Sequence, residues 1–344
     1  MAEPSKKTLL KDSTNRNFRS ELMNFQSIPE NYSPINEPLN YVVEFAEKRD
    51  VVDVKILDLR RERVLGLKRL YDVTEAQIDI APYVKRALDF RPAACGTELL
   101  DADGLYALVA IEIDGQRSPE RCYAPYDICD ELGTLFRAGG KHSQLSIGES
   151  DYVVIYAPHG GTVRIESYLG ERLLSARELP LEAKQELRML KILPDDFAPE
   201  GSTVLLAFEI DGIVDFLSYR VAPKPEQSKR LLWVGQDGVL QSYTFPNTIE
   251  STHRVTRQVV ESGEGEVVTS CQREHLLKIV SDYETVDEIK RIGEILGARK
   301  AWIDRGVEAE RVDVVSTEMV VKYGGALNSM QVELRLHQQR KEVA

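Results

Sequence analysis

Arg230-Leu-Leu-Trp-Val-Gly-Gln-Asp-Gly-Val-Leu-Gln-Ser-Tyr-Thr-Phe245 reads as a β-hairpin. Leu231 to Val234 form one short apolar run. Val239, Leu240, Tyr243 and Phe245 form a second, and Asp237-Gly238 lies between the two. Asp-Gly between β-prone runs is a strong hairpin signal, because glycine accepts the positive φ that a twisted turn demands. The chain before the hairpin reads as a repeated β module, and the chain after it as a different domain.

The repeat is visible residue by residue. Tyr41-Val-Val-Glu-Phe-Ala46 matches Tyr152-Val-Val-Ile-Tyr-Ala157, and Val54 to Leu59 matches Val163 to Tyr168. Glu62-Arg-Val-Leu65 matches Glu171-Arg-Leu-Leu174. Tyr106 to Gly115 matches Thr203 to Gly212, both ending Glu-Ile-Asp-Gly, and Tyr123-Ala-Pro125 matches Val221-Ala-Pro223. The offset falls from 111 (152 − 41) to 97 (211 − 114), so the first copy carries about fourteen extra residues in a connection, where insertions are tolerated. Val51 to Leu59 and Val163 to Tyr168 alternate apolar and polar positions, the period of a half-buried strand. Such strands with Gly and Pro punctuation predict tandem immunoglobulin-like β-sandwiches in a mainly β chain. Ala76 to Leu88 is compatible with a strand edge or a helical turn. Leu181 to Leu190 carries helix formers from Glu182 to Leu187 and reads as a short helix.

Five segments follow. Residues 1–36 are an extended N-terminal arm, 37–130 the first sandwich repeat and 131–150 a connector. Residues 151–225 are the second repeat, and 226–344 a mixed α+β terminal domain. The prolines Pro29, Pro34 and Pro38 exclude a regular helix or central strand at the end of the arm. The arm is either an untied terminus or a segment that orders against a neighbouring subunit. Pro223-Lys-Pro225 stiffens the second linker. In the terminal domain, Val255 to Val260 is a strand candidate and Gly263 to Gly265 a turn. Thr285-Val-Asp-Glu288 is a capping box opening a helix over Val286 to Leu296, closed by Gly297. Ala301 to Ile303, Arg311 to Ser316 and Met330 to Leu336 read as strands.

Composition narrows the function classes. The 344-residue chain is 42% hydrophobic, enough for a packed core in each of two or three domains. Its formal net charge of −12 disfavours bulk nucleic-acid binding. Its apolar runs, such as Val204 to Phe208, are strand-sized and far short of the roughly 20 residues of a membrane span. The first residues lack a hydrophobic signal core. Cys95, Cys122, Cys129 and Cys271 match neither a zinc nor a CxxC spacing and read as free thiols of a reducing cytoplasm.

Catalytic signals are missing. His142, His159, His253, His275 and His337 show no two-histidine metal spacing. His159-Gly160-Gly161 reads as a hairpin turn, since no nucleophile elbow accompanies it. Asp101-Ala-Asp103-Gly104 lacks the remaining ligands of a calcium loop. No phosphate-binding glycine loop is present. The reading is therefore non-enzymatic, with no catalytic, cofactor or metal residue. The candidate interaction residues are Phe18, Leu22, Phe25 and Tyr32 in the arm, and Trp233, Tyr243, Phe245 and Trp302 in the terminal domain, where aromatic rings serve as core or interface anchors.

Three features together resemble tail, neck or baseplate virion proteins of phages infecting Bacteroidota. One is Pro29-Glu-Asn-Tyr-Ser-Pro-Ile-Asn-Glu-Pro38 leading into Tyr41-Val-Val-Glu-Phe45. Another is Arg230-Leu-Leu-Trp-Val-Gly-Gln-Asp-Gly238 followed by Tyr243-Thr-Phe245. The third is the helix before Ala301-Trp-Ile303, Val312-Asp-Val-Val315 and Leu327-Asn-Ser-Met-Gln-Val-Glu-Leu334. The resemblance implies a structural protein assembled in the host cytoplasm as a ring of identical subunits, with other virion proteins as partners and no cofactor. The alternative is a carbohydrate-binding or adhesin-like module presenting Trp233, Tyr243 or Tyr168 to sugars.

Overall fold

The computed structural model describes residues 23–126, 128, 133–137, 141–263, 265–324 and 327–337. The fold is mainly β: tandem immunoglobulin-like β-sandwich repeats followed by a mixed α+β domain. The chain divides into two compact units. One holds the described residues up to Leu88 together with Ala107–Ala124, and the other holds Asp89–Tyr106 and the described residues from Pro125 onward.

The first unit opens with β1 (Met23–Ser27), β2 (Asn40–Asp58), β3 (Arg63–Asp79) and the short helix α1 (Ala81–Ala87). Next comes β4 (Glu98–Asp101), which belongs to the second unit, followed by β5 (Ala107–Ile113), β6 (Gln116–Arg117) and β7 (Arg121–Tyr123) of the first. β2 runs for 19 residues but changes the side it buries. Tyr41, Val43 and Phe45 are buried, then Val52, Val54 and Ile56, and the register slips between Glu44 and Arg49. Its first half pairs with β1 and its second half with β5, so one strand serves both layers of the sandwich. Asp114-Gly115 has positive φ at both residues, the mirror-image turn that suits a two-residue hairpin, and joins β5 to β6.

The second unit continues through β8 (Thr134–Phe136), β9 (His142–Ser146), β10 (Asp151–Ala157), β11 (Gly161–Leu169), β12 (Arg172–Leu181), β13 (Lys184–Ile192), β14 (Thr203–Ile210) and β15 (Ile213–Ala222). Its sandwich has one sheet in the order β4-β13-β10-β8 and another in the order β12-β11-β14-β15-β9. Asp211-Gly212 repeats the positive-φ turn between β14 and β15. The segment equivalent to β2 is here cut into β10 and β11 by a turn that changes sheets. His159-Gly160-Gly161 is thus a crossing rather than the expected hairpin. Gly160 supplies a φ of +87°, which Ala46-Glu47-Lys48 of the first copy has no glycine to match.

Four further expectations need correction. Lys184–Ile192 is a strand, not a short helix. Its register against the fully buried β10 places Leu190 opposite Val153 and Ile192 opposite Asp151, and this pairing overrides the helix formers. Residues 23–36 are not a free arm: Phe25 lies opposite Val43, Tyr32 and Ile35 are buried, and Pro34 bridges Ala124. The supposed connector supplies the same parts, with Phe136 opposite Val154 and Ser146 opposite Ala222. The repeat therefore begins near residues 23 and 134. The expected first repeat also loses Asp89–Tyr106 to the second unit, where Leu100 of β4 faces Met189 of β13.

The terminal domain comprises β16 (Lys229–Val234), β17 (Leu240–Phe245), β18 (Asn247–Ser262), β19 (Gly265–Val280), α2 (Val286–Gly293), β20 (Lys300–Arg305), β21 (Glu308–Val314) and β22 (Gln331–Leu336). The sheet order is β17-β16-β20-β21-β22-β19-β18. Its two edge strands are consecutive in the chain, separated only by Pro246, so the sheet curls until its edges meet there. Ile289, Ile292 and Ile295, from α2 and the 3-10 turn after it, fill the concave side with Trp233, Phe245 and Val332. Each such side chain contributes about 1.5–3 kcal/mol on burial. Thr285 caps α2 as expected, accepting from the Glu288 N–H at 3.3 Å, but the Glu288 carboxylate turns to Arg291 (3.0 Å) instead of reaching back. The β16–β17 connection is a five-residue loop closed by Gly235 N–H to Val239 O (3.0 Å), longer than an Asp-Gly two-residue turn.

A Cβ at Gly161 would lie 2.3 Å from the Glu209 carbonyl oxygen. Gly161→Ala is expected to destabilise the second unit by roughly 2–3 kcal/mol, read as a shift of its urea midpoint.

Candidate interaction surfaces

Two features of the terminal domain stand out: a buried charge network against the second sandwich, and a ribbon whose side chains face water. The network starts from local sequence. Asp151 precedes the fully buried run of β10, and Arg230 precedes the buried run Leu231 to Val234 of β16, so packing the two apolar runs carries both charges inside. Arg230 donates to the Ser150 carbonyl (2.6 Å), Asp151 Oδ1 (3.0 Å), Ser242 Oγ (2.9 Å) and Thr244 Oγ1 (3.1 Å). Arg137 Nε donates to Asp151 Oδ2 (2.9 Å), and Tyr219 OH donates to the same oxygen (3.0 Å). Asp304 accepts the Ser150 N–H and hydroxyl.

Burial alone would raise the Asp151 carboxyl, but the Arg137 and Arg230 guanidiniums outweigh it and hold the group at about 2. Asp304 shows the opposite balance, with burial holding its carboxyl above the usual range. Burial, then the Asp151 charge, pushes the Tyr219 phenol well up. The network ties the start of β10 to β16 and to Asp304 of β20, as a rivet does.

Beside it opens a cleft of about 460 Å³, lined by Glu149, Tyr243, Asp282, Glu284, Glu288 and Arg291 among others. Asp89–Tyr106 packs on the same unit. Phe90 meets Tyr152 and Trp302 edge-to-face at centroid distances of 5.9 and 5.8 Å, and Lys191 donates to the Ala93 carbonyl (2.7 Å).

The β18–β19 ribbon leaves the curled sheet beyond Thr252 and Glu274. Every described side chain from His253 to Glu261 and from Gly265 to Arg273 is exposed. Val259 lies opposite Val268 and Val260 opposite Val267, four valines 43–55% exposed. At its root His253 and His275 stack at 4.1 Å, and burial followed by the His253 charge lowers His275. His337, nearby in sequence to β22, pairs with Asp313. In the first unit Val51 and Tyr71 form a similar exposed cross-strand pair.

These positions revise the expected contacts. Tyr32, Trp233 and Phe245 are buried within their own units and Trp302 nearly so, so none can meet a partner directly. Each is a core anchor, and Trp233 is out of reach of a sugar. Phe25 packs against the first core. Tyr243 is half-buried, stacked edge-on against Phe245 (5.0 Å), and donates to Glu284 (2.8 Å). Phe18 and Leu22 lie outside the described residues. Sequence reasoning missed Arg230, Asp151, Arg137 and Asp304. Their signal is a charge abutting an apolar run, but the partners lie up to 154 positions apart. Among the described residues Cys95, Cys122 and Cys271 are not in a disulfide, and no group of three or more His, Cys, Asp or Glu could hold a metal ion. No described helix is long and apolar enough to cross a membrane.

No protein-family model and no curated protein matches the chain. Solved structures give weak likenesses. A Salmonella α-2-macroglobulin reacted with methylamine is 10% identical over 75% of this chain, with a TM-score of 0.20. This chain spans 22% of that protein's length. A tetra-tandem repeat from the extending region of a large adhesion protein is 7% identical, covering 91% of this chain and 80% of that one, with a TM-score of 0.20. Dpr2 Ig1-Ig2, in complex with DIP-Theta Ig1-Ig3, is 10% identical over 59% of this chain and 99% of that one, with a TM-score of 0.18.

Arg230→Ala would leave Asp151 and Asp304 buried without their shared cation, and is expected to cost about 3–5 kcal/mol in urea unfolding. The Asp151 carboxyl falls from 3.8 to about 2 on folding. Its stabilisation is therefore complete above pH 3.8 and lost as pH falls through about 2, an effect of roughly 2 kcal/mol. Asp304 has the opposite sign, its contribution being lost as pH rises through its raised value. The test is the difference between the wild-type and Asp151→Asn unfolding profiles from pH 5 to pH 2, whose slope is expected to flatten in the variant.

Proposed function

We propose that this chain is a non-enzymatic structural protein of a phage virion tail, neck or baseplate, assembled in the host cytoplasm as a ring of identical subunits that contacts other virion proteins. The observation that supports it is the β18–β19 ribbon. A two-stranded ribbon is at best marginally stable in water by itself. Here two cross-strand valine pairs stand in solvent on a segment that leaves its own core. Burial against another chain removes that apolar surface from water and stabilises the ribbon together. The rivet between β10 and β16 supplies the rigid base that such a contact needs. The phage assignment itself draws on the sequence resemblance.

Light scattering on the purified chain tests this reading. A discrete oligomer is expected, and Val260→Lys with Val267→Lys is expected to lower its mass. The deletion to compare is residues 1–22, because removing 1–36 would also take away β1 and the buried Tyr32 and Ile35. A monomer at high concentration, unchanged by either alteration, overturns the ring.

A further inference from the structure

The cleft beside the charge network carries more negative charge than its own cations neutralise. Arg137 and Arg230 are turned to Asp151, and Arg291 to Glu288. Glu149, Asp282 and Glu284 also line the cleft, and none of them is in an ion pair among the described residues. Glu149 is the telling member. It is 1% exposed, and its Oε2 accepts the Ser146 N–H and the Thr244 hydroxyl, both at 3.1 Å. Its buried Oε1 has no hydrogen-bond partner among the described residues. A carboxylate oxygen held inside with no donor is a poor arrangement unless a donor arrives from outside. Among the described residues the Glu284 carboxylate accepts only the Tyr243 hydroxyl, through Oε1, and the Asp282 carboxylate only the Tyr283 N–H. Three carboxylates lining one cleft fit a ligand with an ammonium or guanidinium head on a long apolar stem.

The chain contains such a ligand. Residues 1–22 hold Lys6, Lys7, Lys11, Arg16 and Arg19 against Glu3, Asp12 and Glu21, a local excess of positive charge in a protein of formal net charge −12. They precede Met23, the first residue of β1, and extended they reach at most roughly 75 Å. Copies with a charge of −12 repel one another, and a basic segment seated in an acidic cleft offsets that repulsion locally. Resting on the ring reading, we infer that the cleft lined by Glu149, Asp282 and Glu284 receives a lysine or arginine side chain from residues 1–22 of a second copy.

Mixed-isotope cross-linking of the full chain tests it. Natural-abundance and nitrogen-15 proteins are mixed, allowed to exchange and treated with a carbodiimide, which joins a lysine amine to a carboxylate as an amide with loss of water. The expected products link Lys6, Lys7 or Lys11 to Asp282 or Glu284 in mixed-isotope form. Glu149→Gln removes the anchoring charge without removing either acceptor, and is expected to lower that yield about tenfold. Its thermal unfolding checks that the variant remains folded, and Asp282→Asn tests the Glu284 link should it not. Absence of these links, links confined to one isotope, or a yield indifferent to these variants overturns the inference. An oligomer by light scattering without them leaves the ring standing and removes this clasp, whereas a monomer removes both.

Discussion

A buried ion network, Arg137 and Arg230 on Asp151 with Asp304 alongside, is the constraint on which the second unit depends. Isolated charges inside a protein are costly, and each member here is tolerable only because the others are in place. Arg230 alone touches the end of β9–β10 through Ser150 and Asp151, and the neighbouring strand through Ser242 and Thr244. A small rotation between sandwich and terminal domain would break several of these bonds at once. The junction is therefore held in one orientation rather than hinged, which apolar packing alone would enforce less strictly.

Segment 89–106 reinforces the same junction. It occupies the interval in which the first copy is longer than the second, and Phe90 sits between Tyr152 of the sandwich and Trp302 of the terminal sheet. Thr97 exchanges hydrogen bonds with the Leu193 backbone, and β4 extends the sheet beside β13. The insertion that sequence comparison treats as a tolerated loop is thus an edge strand and an aromatic wedge for the neighbouring module.

The two repeats solve one problem differently. Each must carry the chain from one layer of its sandwich to the other. The second does so at Gly160, where positive φ permits a tight turn, and the first does so by bending β2 through an irregular register. The equivalence of Phe25 with Phe136, and of Pro34 with Ser146, rests on their pairing partners alone, because the residues themselves share little.

Local chemistry was legible in the sequence wherever neighbours decide it. The Asp-Gly turns at 114 and 211, the Thr285 cap, the buried alternation of Val332 and Leu334, and the tandem β repeat all follow from periodicity and backbone preference. The stretch Arg230 to Phe245 forms the expected two strands, though its turn is longer. What only the tertiary structure decided involves residues far apart. It made Lys184–Ile192 a strand, because β10 offered a ladder, and built residues 23–36 into a sandwich. It also buried Trp233 and Phe245 as core and left the valines of β18 and β19 in water. Propensity acts over a few residues. Burial and charge pairing act across the fold, so which aromatic is core and which carboxylate is left without a cation becomes readable only once the strands are assembled.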